Sequence, residues 1–99
     1  MTTKLHRASA NVFKDLGFDT GESEHLRIRA ELMIRVSGLI RERGLTQAGA
    51  ATLFGVTQPR VSDLVRGKID RFSIDTLVDM LAHGGVRVGV TLRKTKQVA

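Results

Sequence analysis

Between positions 58 and 63 the chain carries an amide, a guanidinium, a hydroxyl and a carboxylate. The amide of Gln58 can pair with N7 and N6 of adenine, and Arg60 can pair with O6 and N7 of guanine if it reaches them. Pro59 has no N–H to lose in a first helical turn, and its ring can pack on a thymine methyl. Asp63 can accept from cytosine N4 or orient Arg60, and an intramolecular salt bridge or cap is an equally good interpretation. The predicted base-contacting residues are Gln58, Pro59, Arg60, Ser62 and Asp63.

Basic side chains follow this polar run. Arg66, Lys68 and Arg71 can each contact phosphate, or can each be a solvated surface charge. Thr57, just before the run, can also contact phosphate, although capping the next helix is its simpler role. The whole chain has 16 Lys and Arg residues against 10 Asp and Glu residues, which gives a net charge of +6. Such a charge favours polyanionic partners, with nucleic acid first among them.

The spacing of apolar residues predicts the helices that must position these side chains. A long helix is predicted from Ser23, as its N-cap, to Gly44, because glycine readily adopts the left-handed conformation that ends a helix. Two short helices follow at residues 46–54 and about 58–66, and another is predicted over residues 73–83. The long helix has an apolar stripe of 3.6-residue period, which consists of Leu26, Met33, Val36 and Ile40.

The two short helices satisfy the steric requirements of a helix-turn-helix. Ala51 is a small residue at the point where the second helix crosses closely, and Gly55, four residues later, tolerates the positive φ of the turn. The apolar residues that hold the two helices together are Val56, Val61 and Leu64. All these positions fall within residues 47–66, so the helix at about 58–66 is predicted to enter a DNA major groove.

The C-terminal part of the chain has a different period. Residues 86–92 alternate apolar and other side chains, which predicts a half-buried strand. A lone strand cannot satisfy its backbone groups, so its partner is either residues 12–13 or the same strand of a second subunit. The predicted organisation is an N-terminal arm (1–22), a helix-turn-helix domain (23–85, with its core at 46–67), a dimerisation strand (86–92) and a tail (93–99).

Composition argues against several other classes of protein. The chain has 99 residues, enough for one domain, and no cysteine for a disulfide, a thiolate zinc site or a cysteine nucleophile. No apolar run approaches the roughly 18–20 residues of a membrane span, and no signal-peptide segment is visible, so we expect a cytoplasmic protein. The three histidines are scattered, and no phosphate loop or nucleophile motif occurs. We therefore predict no enzymatic activity, no cofactor and no metal.

Several short motifs match a known pattern. They are Asn11-Val12-Phe13-Lys14-Asp15-Leu16-Gly17, Thr46-Gln47-Ala48, Gly55-Val56-Thr57-Gln58, Gln58-Pro59-Arg60-Val61-Ser62-Asp63-Leu64, Gly67-Lys68 and Phe72-Ser73-Ile74-Asp75-Thr76-Leu77. They resemble the lambda-repressor-like helix-turn-helix class called Xre, and within it the short HigA-type antitoxins, over roughly residues 11–92. The resemblance implies that Gln47 donates to a phosphate beside the amides of its helix. Gly49 departs from the family, which often has a helix-favouring residue there, and it weakens the helix by up to ~1 kcal/mol.

These observations together predict an all-α fold, namely a five-helix lambda-repressor-like DNA-binding domain with a short C-terminal β-strand. The predicted function is that of a sequence-specific regulator of transcription, a repressor, which binds double-stranded DNA. A homodimer is expected, because one recognition helix contacts too few base pairs for genomic specificity. The alternative is an antitoxin that binds a toxin protein through residues 1–24 and regulates its own operon.

Overall fold

Four α-helices and one 3₁₀ turn form the regular structure in the computed structural model, which describes residues 20–94. In chain order they are α1 (Thr20–Glu42), α2 (Gln47–Phe54), α3 (Gln58–Val65), the 3₁₀ turn (Ile69–Arg71) and α4 (Ile74–His83). The predicted helical fold is therefore confirmed for this part of the chain, but the predicted fifth helix is not found in it. The apolar spacing located only four helices, at residues 23–44, 46–54, 58–66 and 73–83, and these are the four that residues 20–94 contain. The connection between α3 and α4 closes as the single 3₁₀ turn.

Hydroxyl side chains cap three of the helices at the positions that the sequence predicts. Thr46, Thr57 and Ser73 have extended backbones and precede α2, α3 and α4. Each hydroxyl accepts a hydrogen bond from the backbone N–H three residues later, at 3.0, 3.4 and 3.0 Å respectively. Each cap thereby satisfies an N–H group that has no partner inside its own helix.

The long helix α1 extends further towards the N-terminus than predicted. It is described from Thr20, so Ser23 lies within the helix, where it is 6% exposed, and is not the N-cap. Gly21 is also helical, although glycine in a helix costs about 1 kcal/mol relative to alanine. Tertiary packing supplies most helical stability and can override such a local preference. None of the described helices is both long enough and apolar enough to cross a membrane.

The core lies where α1 crosses the other helices. α1 packs against α3, α4 and the 3₁₀ turn, and α2 packs against α3 and α4. Phe72, 1% exposed, anchors the chain directly after the 3₁₀ turn, and burying such a side chain contributes roughly 1.5–3 kcal/mol. The buried apolar residues are Met33, Val36, Ile40, Ala50, Phe54, Val61, Leu64, Phe72, Leu77, Met80 and Leu81.

The predicted strand over residues 86–92 is wrong for the described chain, because residues 20–94 contain no strand. Val86 and Val88 pack against the core, while Val90 and Leu92 are 82% and 91% exposed. In the first residues of this segment, the alternating pattern therefore marks the side chains that pack against the core, Val86 and Val88. A strand also needs a second backbone to pair with, and residues 20–94 do not supply one. The intramolecular partner predicted at residues 12–13 lies outside the described residues.

Candidate nucleic-acid interface

The turn between α2 and α3 requires glycine for two reasons. Gly55 has φ 68° and ψ 33°, a left-handed conformation that side chains with a Cβ rarely adopt. A Cβ at this position would also overlap the ring of His83, which reaches the turn from α4. The turn is closed by the N–H of Val56, which donates to the carbonyl of Ala51 at 3.0 Å. Gly55 therefore lets the chain turn between α2 and α3 and lets His83 of α4 approach the turn closely.

One side of α3 is buried, and the other carries the residues predicted to contact bases. Val61 and Leu64 are 0% and 2% exposed and hold α3 on the core. Gln58 and Pro59 are exposed in the first turn of the helix. The other predicted base-contacting residues, Arg60, Ser62 and Asp63, are half-buried. The N-terminal turn of α3 is therefore the part of the helix whose predicted site residues are most available to a partner.

Arg60 is held against the turn that follows α3. Its Nη1 donates to the backbone carbonyl of Arg71 at 3.0 Å. Its guanidinium carbon lies 5.0 Å from the centroid of the Phe72 ring, within the range of a cation–π interaction. Sequence reasoning missed both contacts, since their partners lie more than ten positions along the chain. In this conformation both contacts of Arg60 are intramolecular and stabilise the folded chain.

Asp63 forms ion pairs with two of the predicted phosphate-contacting residues. Its Oδ2 lies 3.2 Å from Nη1 of Arg71, and its Oδ1 lies 3.8 Å from Nζ of Lys68. Its side chain is only 18% exposed, whereas those of Lys68 and Arg71 are 38% and 54% exposed. Of the two interpretations left open by the sequence, the intramolecular salt bridge is the one observed. The carboxylate thus gathers both cations beside α3.

The other predicted phosphate-contacting residues lie near the ends of α2 and α3. Gln47 is the first residue of α2 and is exposed. Thr57 is exposed and caps α3, which confirms its simpler predicted role. Arg66 is exposed and is the C-cap residue of α3. Because the first turn of a helix presents N–H groups and a partial positive charge, the position of Gln47 suits a phosphate oxygen.

Arg29 is a residue that sequence reasoning missed. From α1, its Nη1 lies 3.4 Å from the carbonyl oxygen of Ile69 and 3.5 Å from that of Phe72, and donates to both. Its position was the available signal, because it lies four residues before Met33 on the apolar stripe of α1. A charged residue on such a stripe needs polar partners from another element, and here the 3₁₀ turn supplies them.

Part of the positive charge of the chain is neutralised within α1. The side chain of Arg27 pairs with Glu24 at 2.9 Å and with Glu31 at 3.7 Å. The hydrogen bonds that Arg27 donates to the carboxylate of Glu24 raise the pKa of Arg27 above its ordinary value, so this guanidinium stays charged and paired. Thr20–Glu42 holds four arginines and four glutamates, so α1 contributes none of the net charge of +6. Within residues 20–94 no group of three or more metal-ligating side chains comes together.

Comparison with known protein families gives one match. Residues 12–93 match a family model described as a helix-turn-helix domain. The match covers most of the chain and includes all four described helices. No curated protein matches the chain.

Proposed function

Because this chain belongs to the helix-turn-helix domain family, we propose that it is a cytoplasmic, sequence-specific regulator of transcription that binds double-stranded DNA, like the Xre class that its motifs resemble. The observation that supports this proposal most directly is α3. It buries Val61 and Leu64 and leaves Gln58 and Pro59 outward in its first turn. The N-terminal residues of the second helix contact base edges in helix-turn-helix proteins, so α3 is the proposed recognition helix.

The five residues predicted to contact bases fall into three groups. Direct contacts come from Gln58, Pro59 and Ser62. Arg60 reaches guanine only if its guanidinium leaves the carbonyl of Arg71 and the ring of Phe72. Asp63 holds Lys68 and Arg71 in place, because its carboxylate already has two cationic partners and is repelled by phosphate.

The proposed phosphate contacts surround the recognition helix. They are Gln47, Thr57, Arg66, Lys68 and Arg71. Phosphate contacts orient a protein on the duplex and supply sequence-independent affinity. About four or five such contacts per subunit correspond to a log–log salt slope of roughly −4 per subunit.

The experiment that tests the proposed function is a selection of bound fragments from the source genome, its own upstream region included, at near-physiological salt. We expect enriched fragments to share a short motif arranged with two-fold symmetry. A matched selection with Gln58→Ala tests the role of α3, since this exposed residue should alter the motif without altering the fold. Recovery of fragments without a shared motif, or of the same motif with Gln58→Ala, contradicts the assignment of α3.

We propose that the protein acts as a homodimer and represses transcription by occupying its operator. The exposed apolar side chains of Val90 and Leu92 support this assembly, because they continue the alternating pattern of Val86 and Val88 away from the core. Two copies of residues 86–92 that pair antiparallel across a two-fold axis would give each segment the second backbone that it lacks in a single subunit.

A second role, that of an antitoxin, is supported by the resemblance of residues 58–64 and 72–77 to the motifs of HigA-type proteins. In this role the chain binds a toxin protein through residues 1–24 and regulates its own operon through α3. Co-purification with the product of the neighbouring gene, lost on deletion of residues 1–19, tests the role. Purification of the chain alone from cells that express both genes contradicts it.

A further inference from the structure

Arg29 connects α1 to the segment that follows the recognition helix. Its two acceptors are the first carbonyl of the 3₁₀ turn, that of Ile69, and the carbonyl just beyond the turn, that of Phe72. These contacts span 40 and 43 positions of the chain. One guanidinium therefore holds both ends of the turn, and hydrogen bonds to a charged donor are stronger than those between neutral groups.

The same segment carries cations that are proposed to contact phosphate. Arg71 is the last residue of the 3₁₀ turn, and Lys68 directly precedes the first residue of the turn. From α3, Arg60 donates to the carbonyl of Arg71, and Asp63 pairs with the side chains of both cations. Residues 68–72 are thus held by α1 on one side and by α3 on the other.

The contacts from the two helices differ in whether DNA can replace them. From α3, Arg60 holds the carbonyl of Arg71, but in the proposed complex it leaves this carbonyl to reach guanine. The side-chain contacts of Asp63 act on flexible side chains that are 38% and 54% exposed, and phosphate can compete for the same cations. Those from Arg29 act on the backbone, which DNA does not replace. The place of the segment relative to α3 therefore depends on Arg29 also when DNA is bound.

We propose that Arg29 is a positioning residue for DNA binding. It fixes the backbone of residues 68–72 so that Lys68 and Arg71 meet the phosphates beside the major groove that α3 enters. This inference rests on the proposed function. Arg29 itself is half-buried and is engaged by two carbonyls, so its effect on DNA passes through the turn. A pre-positioned cation binds phosphate without first paying the entropy of ordering its segment.

The test compares Arg29→Met with Arg35→Met. Both variants remove one positive charge from α1, but Arg35 is exposed and points away from the core stripe. Amide hydrogen exchange is measured at Arg71 and Phe72, whose N–H groups close the turn at 3.1 and 3.3 Å. Affinity for the selected operator and for an unrelated duplex is measured over a range of salt concentrations.

We expect faster exchange at these two amides in Arg29→Met alone. Operator affinity should fall about tenfold below that of Arg35→Met, and the salt slope should flatten by about one to two, as lost phosphate contacts require. Wild-type exchange at residues 71 and 72, or an affinity and slope equal to those of Arg35→Met, would overturn the inference.

Two further measurements apply if Arg29→Met does not fold or if the wild-type chain binds no duplex. If circular dichroism shows that Arg29→Met does not fold, Arg29→Lys replaces it, since lysine keeps the charge and has a shorter reach. In Arg29→Lys we expect the same changes in amide exchange, operator affinity and salt slope, each smaller than in Arg29→Met. If all three equal those of the wild type, the inference is overturned. If the wild-type chain binds no duplex, the proposed function fails, while the exchange measurements still test whether Arg29 holds the turn.

Discussion

At the scale of single residues, the charged side chains of α3, the proposed recognition helix, contact the segment that follows it. Arg60 lies 5.0 Å from the ring centroid of Phe72 and donates to the carbonyl of Arg71. Asp63 pairs with Lys68 and Arg71. Arg60, Lys68 and Arg71, three of the residues proposed to meet DNA, therefore have partners in the free protein. Binding exchanges one set of contacts for another, and mutations here should change both stability and affinity.

Arg60→Ala should lower the free energy of unfolding and relax the specificity of binding. Loss of the cation–π contact and the hydrogen bond should cost about 1 kcal/mol of stability at this half-buried site. Loss of a guanine contact should cost about 1–3 kcal/mol at the operator and remove discrimination at one base pair. Urea denaturation and a panel of singly substituted operators measure the two effects. Arg66→Ala, at an exposed C-cap, is the control, and a loss of stability with unchanged discrimination contradicts a base contact.

Lys68→Ala should weaken binding to all duplexes by a similar factor. Its side chain is 38% exposed, and Asp63 keeps Arg71 as a partner when Lys68 is removed, so little stability should be lost. The log–log salt slope should flatten by about one, the value for a single phosphate contact. Arg41→Ala removes an exposed charge from the last turn of α1 and should leave the slope unchanged. A selective loss at one base pair would contradict the phosphate role of Lys68.

At the scale of elements, the sequence predicts what neighbouring residues determine. The starts of α2, α3 and α4 were predictable, because each cap acts on an N–H only three residues away. The burial of Val61 and Leu64 followed from the requirements of a helix-turn-helix. These local features are enough to predict α3 as the recognition helix and to predict which of its sides faces outward.

The features that were missed depend on distant partners. The contacts of Arg29 span at least 40 positions and that of Arg60 spans 11, so no local pattern reveals their acceptors. The strand was wrong because alternation of side chains shows which of them face the core, whereas a strand also needs a second backbone. The 3₁₀ turn was missed because three residues are too few for an apolar period to appear.

Gly55→Ala should be strongly destabilising. It places a Cβ at φ 68° and against the ring of His83, so we expect a loss of about 2 kcal/mol or more from backbone strain and overlap together. Gly38→Ala is the matched control, because Gly38 lies within α1 and nothing lies within 4 Å of its added Cβ. That variant should gain roughly 0.5–1 kcal/mol from helix propensity. Opposite signs in thermal denaturation are expected, and equal effects would contradict the role of the turn.

At the scale of the whole molecule, the cations near α3 and the two most exposed apolar residues lie in different parts of the described chain. Lys68 and Arg71 form a positively charged surface beside α3, where we propose that DNA binds. The exposed apolar residues Val90 and Leu92 lie beyond the last helix, in an extended segment whose earlier part is packed on the core. One recognition helix reads only a few base pairs, so the specificity proposed here needs a second copy. Residues 86–92 can join two copies without covering α3.

Val90→Asp should break the proposed dimer and leave the subunit folded. Val90 is 82% exposed, so a charge there costs a single subunit little, but it would lie in the apolar face shared by two paired strands. Thr91→Asp introduces the same charge on the opposite face of the strand and is the control. Sedimentation should show a dimer for the wild type and Thr91→Asp, and a monomer for Val90→Asp. The monomer should bind a single half-site as the wild-type subunit does, but lose cooperative binding to the full operator, because α3 is intact and only the link between subunits is gone. A wild type that sediments as a monomer at micromolar concentration, or a Val90→Asp variant that retains the dimer, would show that residues 86–92 do not join two copies.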